Sequence, residues 1–225
     1  MSRIRLVVFD IAGTIIEDRG EIVRAFANAL TESGIPFAEE ELENWKGASK
    51  REVIRHFVKQ AQPQGDPEGK VESAYQRFRG ELENCYREKV VPIPGAVETF
   101  RWCHDRGILL ATTTGFYREI SDLILNQTGW RNFIAVNVSS SDVPKGRPAP
   151  YMIFRAMEAT GVENVREVVN IGDTPLDLQS GTNAGVAGVI GVLTGAHTRE
   201  SLERAPHTHI IDSVAALPKL IEREY

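Results

Sequence analysis

Cysteine is scarce in this chain: among 225 residues only Cys85 and Cys103 occur. They form no C-x-x-C pair, which excludes a zinc knuckle and a disulfide framework and leaves two reduced thiols. Long apolar runs are also lacking. None approaches the roughly 18 residues of a membrane span, and the stretch from Met1 to Asp10 turns acidic too soon for a signal peptide. The expectation is a cytoplasmic protein with no membrane partner. A basic excess is the third absence. Lys and Arg number 26 against 31 Asp and Glu, a net charge of -5, so there is no stripe to release counterions from nucleic acid. A local anion pocket, which needs few cations, stays open. The remainder, 42% hydrophobic and 25% charged without repeats or low-complexity tracts, is the composition of a globular protein with one large domain or one domain carrying an insert.

The apolar residues come in two patterns. Ile4 to Phe9, Ile108 to Thr112, Phe133 to Val138, Val168 to Ile171, Ala187 to Leu193 and His209 to Ile211 are short β-rich runs, as buried parallel strands read. Helical spacing fills most of the gaps, so the expected fold class is α/β with a Rossmann-like parallel sheet. Between Glu17 and Val91 only helical spacing occurs. One stripe is Ile22, Ala25, Phe26, Ala29 and Leu30, and a second is Val53, Ile54, Phe57, Val58 and Ala61. A third is Tyr75, Phe78, Leu82, Cys85 and Tyr86, within a charged segment from Glu68 to Lys89. The run Pro63 to Pro67 reads as a loop and Val91 to Gly95 as a hinge. The expected division is a core of residues 1-16 and 92-225 and a helical cap of residues 17-91, inserted after the first strand.

Ligands of such sheets bind beyond the carboxyl ends of the strands. Those ends carry Asp10, Thr113-Thr114-Gly115 and Gly172-Asp173, with Asp177 one helical turn further on and Arg147 in a Gly-Arg-Pro-Ala-Pro loop. Each piece alone has an ordinary structural explanation: a turn, a helix cap, a strand end, a basic loop. Together they offer carboxylates suited to Mg²⁺, a hydroxyl and an amide for a phosphoryl oxygen, and a guanidinium shaped for phosphate.

The order of the four pieces, Asp10-x-Ala-Gly-Thr, Thr-Thr-Gly115, Gly-Arg147-Pro and Gly-Asp173-x-x-x-Asp177, resembles the haloacid dehalogenase superfamily of hydrolases along nearly the whole chain. The resemblance implies that Asp10 is the catalytic nucleophile, forming an aspartyl phosphate. It also implies Mg²⁺ held by Asp10, the Ala12 carbonyl and Asp173. Thr114, Gly115 and Arg147 would bind phosphate, and Asp177 would orient its neighbours without ligating the metal. Where the superfamily's phosphatases carry a second Asp as general acid, this chain has Ala12. A methyl group cannot protonate a leaving alkoxide, a contribution worth roughly 10² to 10⁴ in rate.

Asp-x-Ala-Gly-Thr, together with Arg in the third motif, resembles the phosphonatase branch, which cleaves the carbon-phosphorus bond of phosphonoacetaldehyde. There a cap lysine forms a Schiff base with the aldehyde, and Gly47-Ala48-Ser49-Lys50-Arg51-Glu52 resembles that segment with Lys50 in the lysine position. Ser49-x-x-Glu52 reads as a capping box that places Lys50 first in its helix, where the dipole disfavours the ammonium. Three positions depart from the branch pattern: Lys46 stands where a methionine is expected, Val53 where a histidine is, and Phe116 where a tyrosine is. The resemblance further implies a homodimer through apolar cap residues, with Trp45 and Phe26 as candidates; the alternative is that both pack the cap core. The substrate is expected to be a small carbonyl phosphonate. A phosphate monoester on a phosphatase, or phosphate on a non-catalytic binding protein, are the competing readings.

Overall fold

The computed structural model describes residues 4–45, 48–64, 66–195 and 197–225. Lys46 and Gly47, and Gly65 of the expected loop, lie outside the described residues.

The chain opens with β1 (Leu6–Phe9), then runs through α1 (Glu21–Glu32), α2 (Glu39–Asn44), α3 (Lys50–Ala61) and α4 (Glu68–Glu88) before α5 (Ala96–Asp105) and β2 (Leu109–Thr114). It continues with α6 (Arg118–Gln127), β3 (Ile134–Ser139), α7 (Tyr151–Thr160), β4 (Val168–Gly172), α8 (Pro175–Ala184), β5 (Gly188–Val192), α9 (Arg199–Glu203), β6 (His209–Ile211) and α10 (Leu217–Glu224). The strands form one sheet in the order β3-β2-β1-β4-β5-β6, every described pairing parallel. The α/β reading therefore holds. Among the described residues no helix is long and apolar enough to cross a membrane.

Alternation explains how the sheet is buried on both faces. Val7 and Phe9 of β1 join the core on one face, with Phe100 and Trp130, whereas Leu6 and Val8 join Met152, Ile153 and Leu178 on the other. A strand that buries successive side chains on opposite faces must be apolar throughout. β2 extends past the expected Thr112 because its pairing with β3 continues to Thr114↔Ser139. That extension carries the threonines to the sheet edge where β1 and β4 also end.

The helices α1 to α4, between β1 and α5, form the insert. α1 and α3 both pack on α4, and the expected stripes are the buried faces: Ile22, Phe26 and Leu30 on α1, Val53, Ile54 and Phe57 on α3, Tyr75, Phe78 and Leu82 on α4. Phe26, a candidate for an exposed dimer contact, is instead core, 3% exposed and stacked on Phe78 at 4.3 Å. Trp45 is half-buried against the same core, its ring 4.7 Å from His56. Both residues are held by the insert's own packing, the physical outcome expected of large apolar rings on an amphipathic helix face. Cys85, expected on the apolar face of α4, is only half-buried. The chain leaves and re-enters the sheet layer at one place: Ile16 bridges Pro92, Glu17 N–H donates to Val91 O at 2.8 Å and Ile93 N–H to Ile15 O at 2.9 Å.

Candidate active site

The strand order makes the site. β1 is flanked by β2 and β4, so Asp10, Thr114 and Asp173, far apart in sequence, leave three adjacent strand ends. The Asp10 N–H donates to Ile171 O at 2.9 Å, which extends β1 by one residue and fixes the direction of its side chain. A tight turn follows, in which Gly13 N–H donates to Ile16 O at 2.7 Å and Ile15 N–H to Ile11 O at 3.0 Å.

Two glycines explain why that turn can approach so closely. Gly13 has φ +81, and a Cβ there would stand 2.5 Å from Asp173 Oδ2; at Gly195 it would stand 1.8 Å from the same oxygen. Backbone thus closes around the Asp173 carboxylate where any side chain would displace it. Gly13→Ala combines a strained φ with that collision. The variant should unfold about 1 to 3 kcal/mol more easily and lose about 10² in turnover, read by thermal unfolding and steady-state kinetics.

Asp10, Asp173 and Asp177 are all buried, and one carboxylate oxygen from each lies within 4.8 Å of the others. Three like charges this close are unfavourable without a cation. Arg147 supplies one: its Nη1 lies 2.7 Å from Asp10 Oδ1 and 2.9 Å from Asp177 Oδ1. Its Nη2 donates to the Thr113 carbonyl and hydroxyl, each at 2.8 Å. Burial still pushes the Asp10 carboxyl up to about 6, with Arg147 opposing the shift and Asp177 adding to it. Asp177 is also part of the N-terminal cap of α8, exchanging hydrogen bonds with Thr174. It is buried, 1% exposed, and its two oxygens are engaged by Arg147 and Thr174.

A cavity of about 20 Å³, lined by Asp10, Ala12, Asp18, Ile22, Lys50, Thr114, Gly115, Phe116, Asp173 and Thr174, opens above these carboxylates. It has room for about one water. The structure therefore brings Asp10, Ala12, Thr114, Gly115, Asp173 and Lys50 to one wall-to-wall space. Arg147 and Asp177 are not among its lining residues and meet it through Asp10. The Thr114 hydroxyl accepts from the Phe116 N–H at 3.1 Å, which leaves its own O–H to donate. The Gly115 carbonyl is turned to the insert, accepting from Lys50 N–H at 3.4 Å and Ser140 Oγ at 3.3 Å.

Lys50 is the first residue of α3 and is 4% exposed. Its ammonium stands 5.4 Å from the Phe116 ring centroid. Burial lowers its pKa to about 8, although Asp10, Asp18 and Asp173 all favour the charged form. Desolvation, more than the helix dipole, is the physical cause. Ser49 is the N-cap as expected, but its side chain makes no capping bond, so the capping box is absent. Glu52 is exposed and lines a groove between insert and core together with Arg51 and Arg55. Val53 and Phe116, which depart from the phosphonatase pattern, are buried at 0% and 1% exposure. Lys46, the third departure, lies outside the described residues. Asp18, Ile22 and Thr174 also line the cavity and were not legible as site residues: Asp18 sits in the charged run Glu17-Asp18-Arg19, which reads as a solvated start to the insert.

Comparison with known proteins agrees with this architecture. The family profile for haloacid dehalogenase-like hydrolases matches residues 7–192, and the chain belongs to that family. Within it, phosphonoacetaldehyde hydrolase from Lysinibacillus sphaericus is 31% identical over 86% of this chain and 76% of the relative. The enzyme of that name from Hahella chejuensis is 29% identical over 97% of this chain and 86% of its own length. Among solved structures, a phosphonoacetaldehyde hydrolase like protein from Oleispira antarctica superposes with a TM-score of 0.86 at 23% identity, covering 99% of this chain and 92% of the other. A β-phosphoglucomutase from Clostridium difficile reaches the same TM-score at 18% identity, with 99% and 97% covered. The fold is thus shared across different chemistries, and the site must carry the functional argument.

Proposed function

We propose that the protein is a Mg²⁺-dependent hydrolase that cleaves the carbon-phosphorus bond of a small carbonyl phosphonate such as phosphonoacetaldehyde. One observation carries the reading: a lysine buried in the same small cavity as the nucleophile-position aspartate, with its ammonium disfavoured. A lysine whose proton is loosened beside the nucleophile suits addition to a carbonyl, a step a phosphatase does not need, and Ala12 offers an ester no acid for its leaving alkoxide. An imine removes that need, because the carbon departs as an enamine.

The buried oxygen-rich triad and the glycine cradle around Asp173 fit a hard divalent cation. Mg²⁺ held by Asp10, the Ala12 carbonyl and Asp173 would offset the repulsion between nucleophile and phosphonate. Lys50 Nζ adds to the substrate carbonyl, and loss of water leaves an iminium. An Asp10 oxygen attacks phosphorus, and the carbon-phosphorus electron pair moves into the enamine as the iminium nitrogen takes up its π electrons. The enamine carbon takes a proton from water and hydrolysis returns the aldehyde and Lys50, while a second water releases phosphate from Asp10. Thr114 and the Gly115 amide hold phosphoryl oxygens, and Arg147, placed between Asp10 and Asp177, holds the nucleophile. The cavity admits about one water, so the insert swings away to load substrate.

Borohydride added with phosphonoacetaldehyde should fix the two-carbon skeleton to Lys50, read as the mass of the Lys50 peptide. Turnover without that adduct would remove the imine step and leave a phosphatase-like reading, favoured further if acetyl phosphate is hydrolysed equally well without Lys50. The pH dependence has a definite sign. Only the neutral amine adds to the carbonyl, and Lys50 gives up its proton at about 8. Trapping should therefore rise about tenfold per pH unit below about 8 and level off above it; a rate that falls with pH over that range contradicts the assignment.

A further inference from the structure

Three carboxylates line the cavity: Asp10, Asp18 and Asp173. Two belong to the acidic triad, and Asp18 does not. It lies just beyond the Ile16–Pro92 crossing, where its Oδ1 accepts from the Gly20 N–H at 3.0 Å, so its side chain is held in place at the start of α1. The neighbouring acid, Glu21, is committed to Arg19, accepting from its N–H at 2.6 Å and its Nε at 3.0 Å. Lys50 and Phe116 line the same cavity. Asp18, with Asp10 and Asp173, favours the charged form of Lys50. Of the residues that depart from the phosphonatase pattern, Val53 and Phe116 can carry no proton.

Imine formation needs a carrier. A lysine that enters as ammonium must lose a proton before it adds, and the carbinolamine must gain one before its hydroxyl can leave as water.

We propose that Asp18 is a catalytic residue of imine formation, carrying a proton from Lys50 to the substrate's carbonyl oxygen. The proposal rests on the reading of Lys50 as the imine-forming lysine. The Asp18 carboxylate takes one proton from the Lys50 ammonium. The freed amine forms the N–C bond while the carbonyl π electrons move to oxygen, and a second nitrogen proton passes to that oxygen, giving a neutral carbinolamine. Asp18 then returns its proton to the hydroxyl, the C–O bond breaks, water leaves, and the nitrogen lone pair closes the iminium. The three protons of the original ammonium end as one on the iminium nitrogen and two on the departing water, and Asp18 is a carboxylate again.

The test is the initial rate of borohydride-trapped Lys50 adduct with phosphonoacetaldehyde, in the full-length protein and in Asp18→Asn, Asp18→Glu and Tyr86→Phe, each checked by thermal unfolding. Asn keeps the acceptor for Gly20 and loses the carboxylate's charge and its ability to carry a proton, and Asp18→Glu restores both. Asp18→Asn should slow trapping by about a hundredfold or more, and Asp18→Glu should recover part of that loss. Tyr86, whose ring packs on Phe116 at 5.6 Å, is the control hydroxyl outside the cavity lining; its Phe variant should trap at the unsubstituted rate. Trapping in Asp18→Asn as fast as in the unsubstituted protein, or a loss confined to Tyr86→Phe, overturns the role of Asp18 and leaves the imine reading standing. No adduct in the unsubstituted protein overturns both.

Discussion

Asp10→Asn should abolish phosphate release, lowering turnover by at least about four orders of magnitude, while the protein stays folded. The expectation follows from position. Asp10 continues the central strand, its carboxylate lines the cavity, and one of its oxygens is gripped by Arg147. An amide of the same shape keeps the packing and cannot attack phosphorus. The fold should not suffer, because Arg147 retains Asp177 and Thr113. The direction of the Asp10 shift makes this sharper. Its pKa is raised from 3.8 to about 6, so the folded state holds the proton more tightly than the unfolded chain. The ionised form then costs stability, a cost fully present above about pH 6 and relieved as pH falls through 6 toward 3.8. At pH 7 the Asn variant should unfold at or above the temperature of the unsubstituted protein. Appreciable turnover in a folded Asn variant would end the nucleophile assignment.

Lys50→Met should trade activity for stability. Without the amine no imine forms, and turnover of a carbonyl phosphonate should fall by at least about 10³. The same substitution removes a charge from a nearly dry place. Burial holds the Lys50 pKa at about 8 against its ordinary 10.5, a difference equivalent to roughly 3 kcal/mol at pH 7. The sign runs opposite to that of a salt-bridged lysine. Its folded pKa is depressed, so the penalty is complete below about pH 8 and disappears as pH rises toward 10.5. Met should therefore raise the unfolding temperature by several degrees at pH 7 and by less at pH 10. Functional groups held against their preferred state commonly show this exchange. A variant that is both less stable and still active on the phosphonate contradicts the assignment.

How far the sequence was legible depends on which physical rule placed each residue. Strand ends could be read because a strand buried on both faces must stop being apolar where it stops being buried, and Asp10, Thr114 and Asp173 mark those stops. The amphipathic stripes of α1, α3 and α4 could be read for the same reason, and each proved to be a buried face. Neighbourhood could not be read from the strands themselves. That β1 lies between β2 and β4 is a property of sheet order, which no single strand encodes. Side-chain direction was less accessible still. Arg147 was expected to face phosphate, and its guanidinium meets Asp10, Asp177 and Thr113, since three buried carboxylates compete for the nearest cation. The Ser49-x-x-Glu52 spacing suggested a reciprocal cap, and the Ser49 side chain makes no capping bond while Glu52 stays exposed. Phe26 and Trp45 looked available to a partner and are taken up by the insert's own core. Asp18 carries no spacing signal at all: a carboxylate in a charged run becomes a cavity wall only when the insert folds back over the sheet.

The most direct test of the account is Mg²⁺-dependent release of inorganic phosphate from phosphonoacetaldehyde, with acetaldehyde assayed in the same sample. The account predicts equal amounts of phosphate and acetaldehyde, abolished by chelation and by Lys50→Met. Phosphate released from simple phosphate esters, with none from the phosphonate under the same conditions, would contradict it.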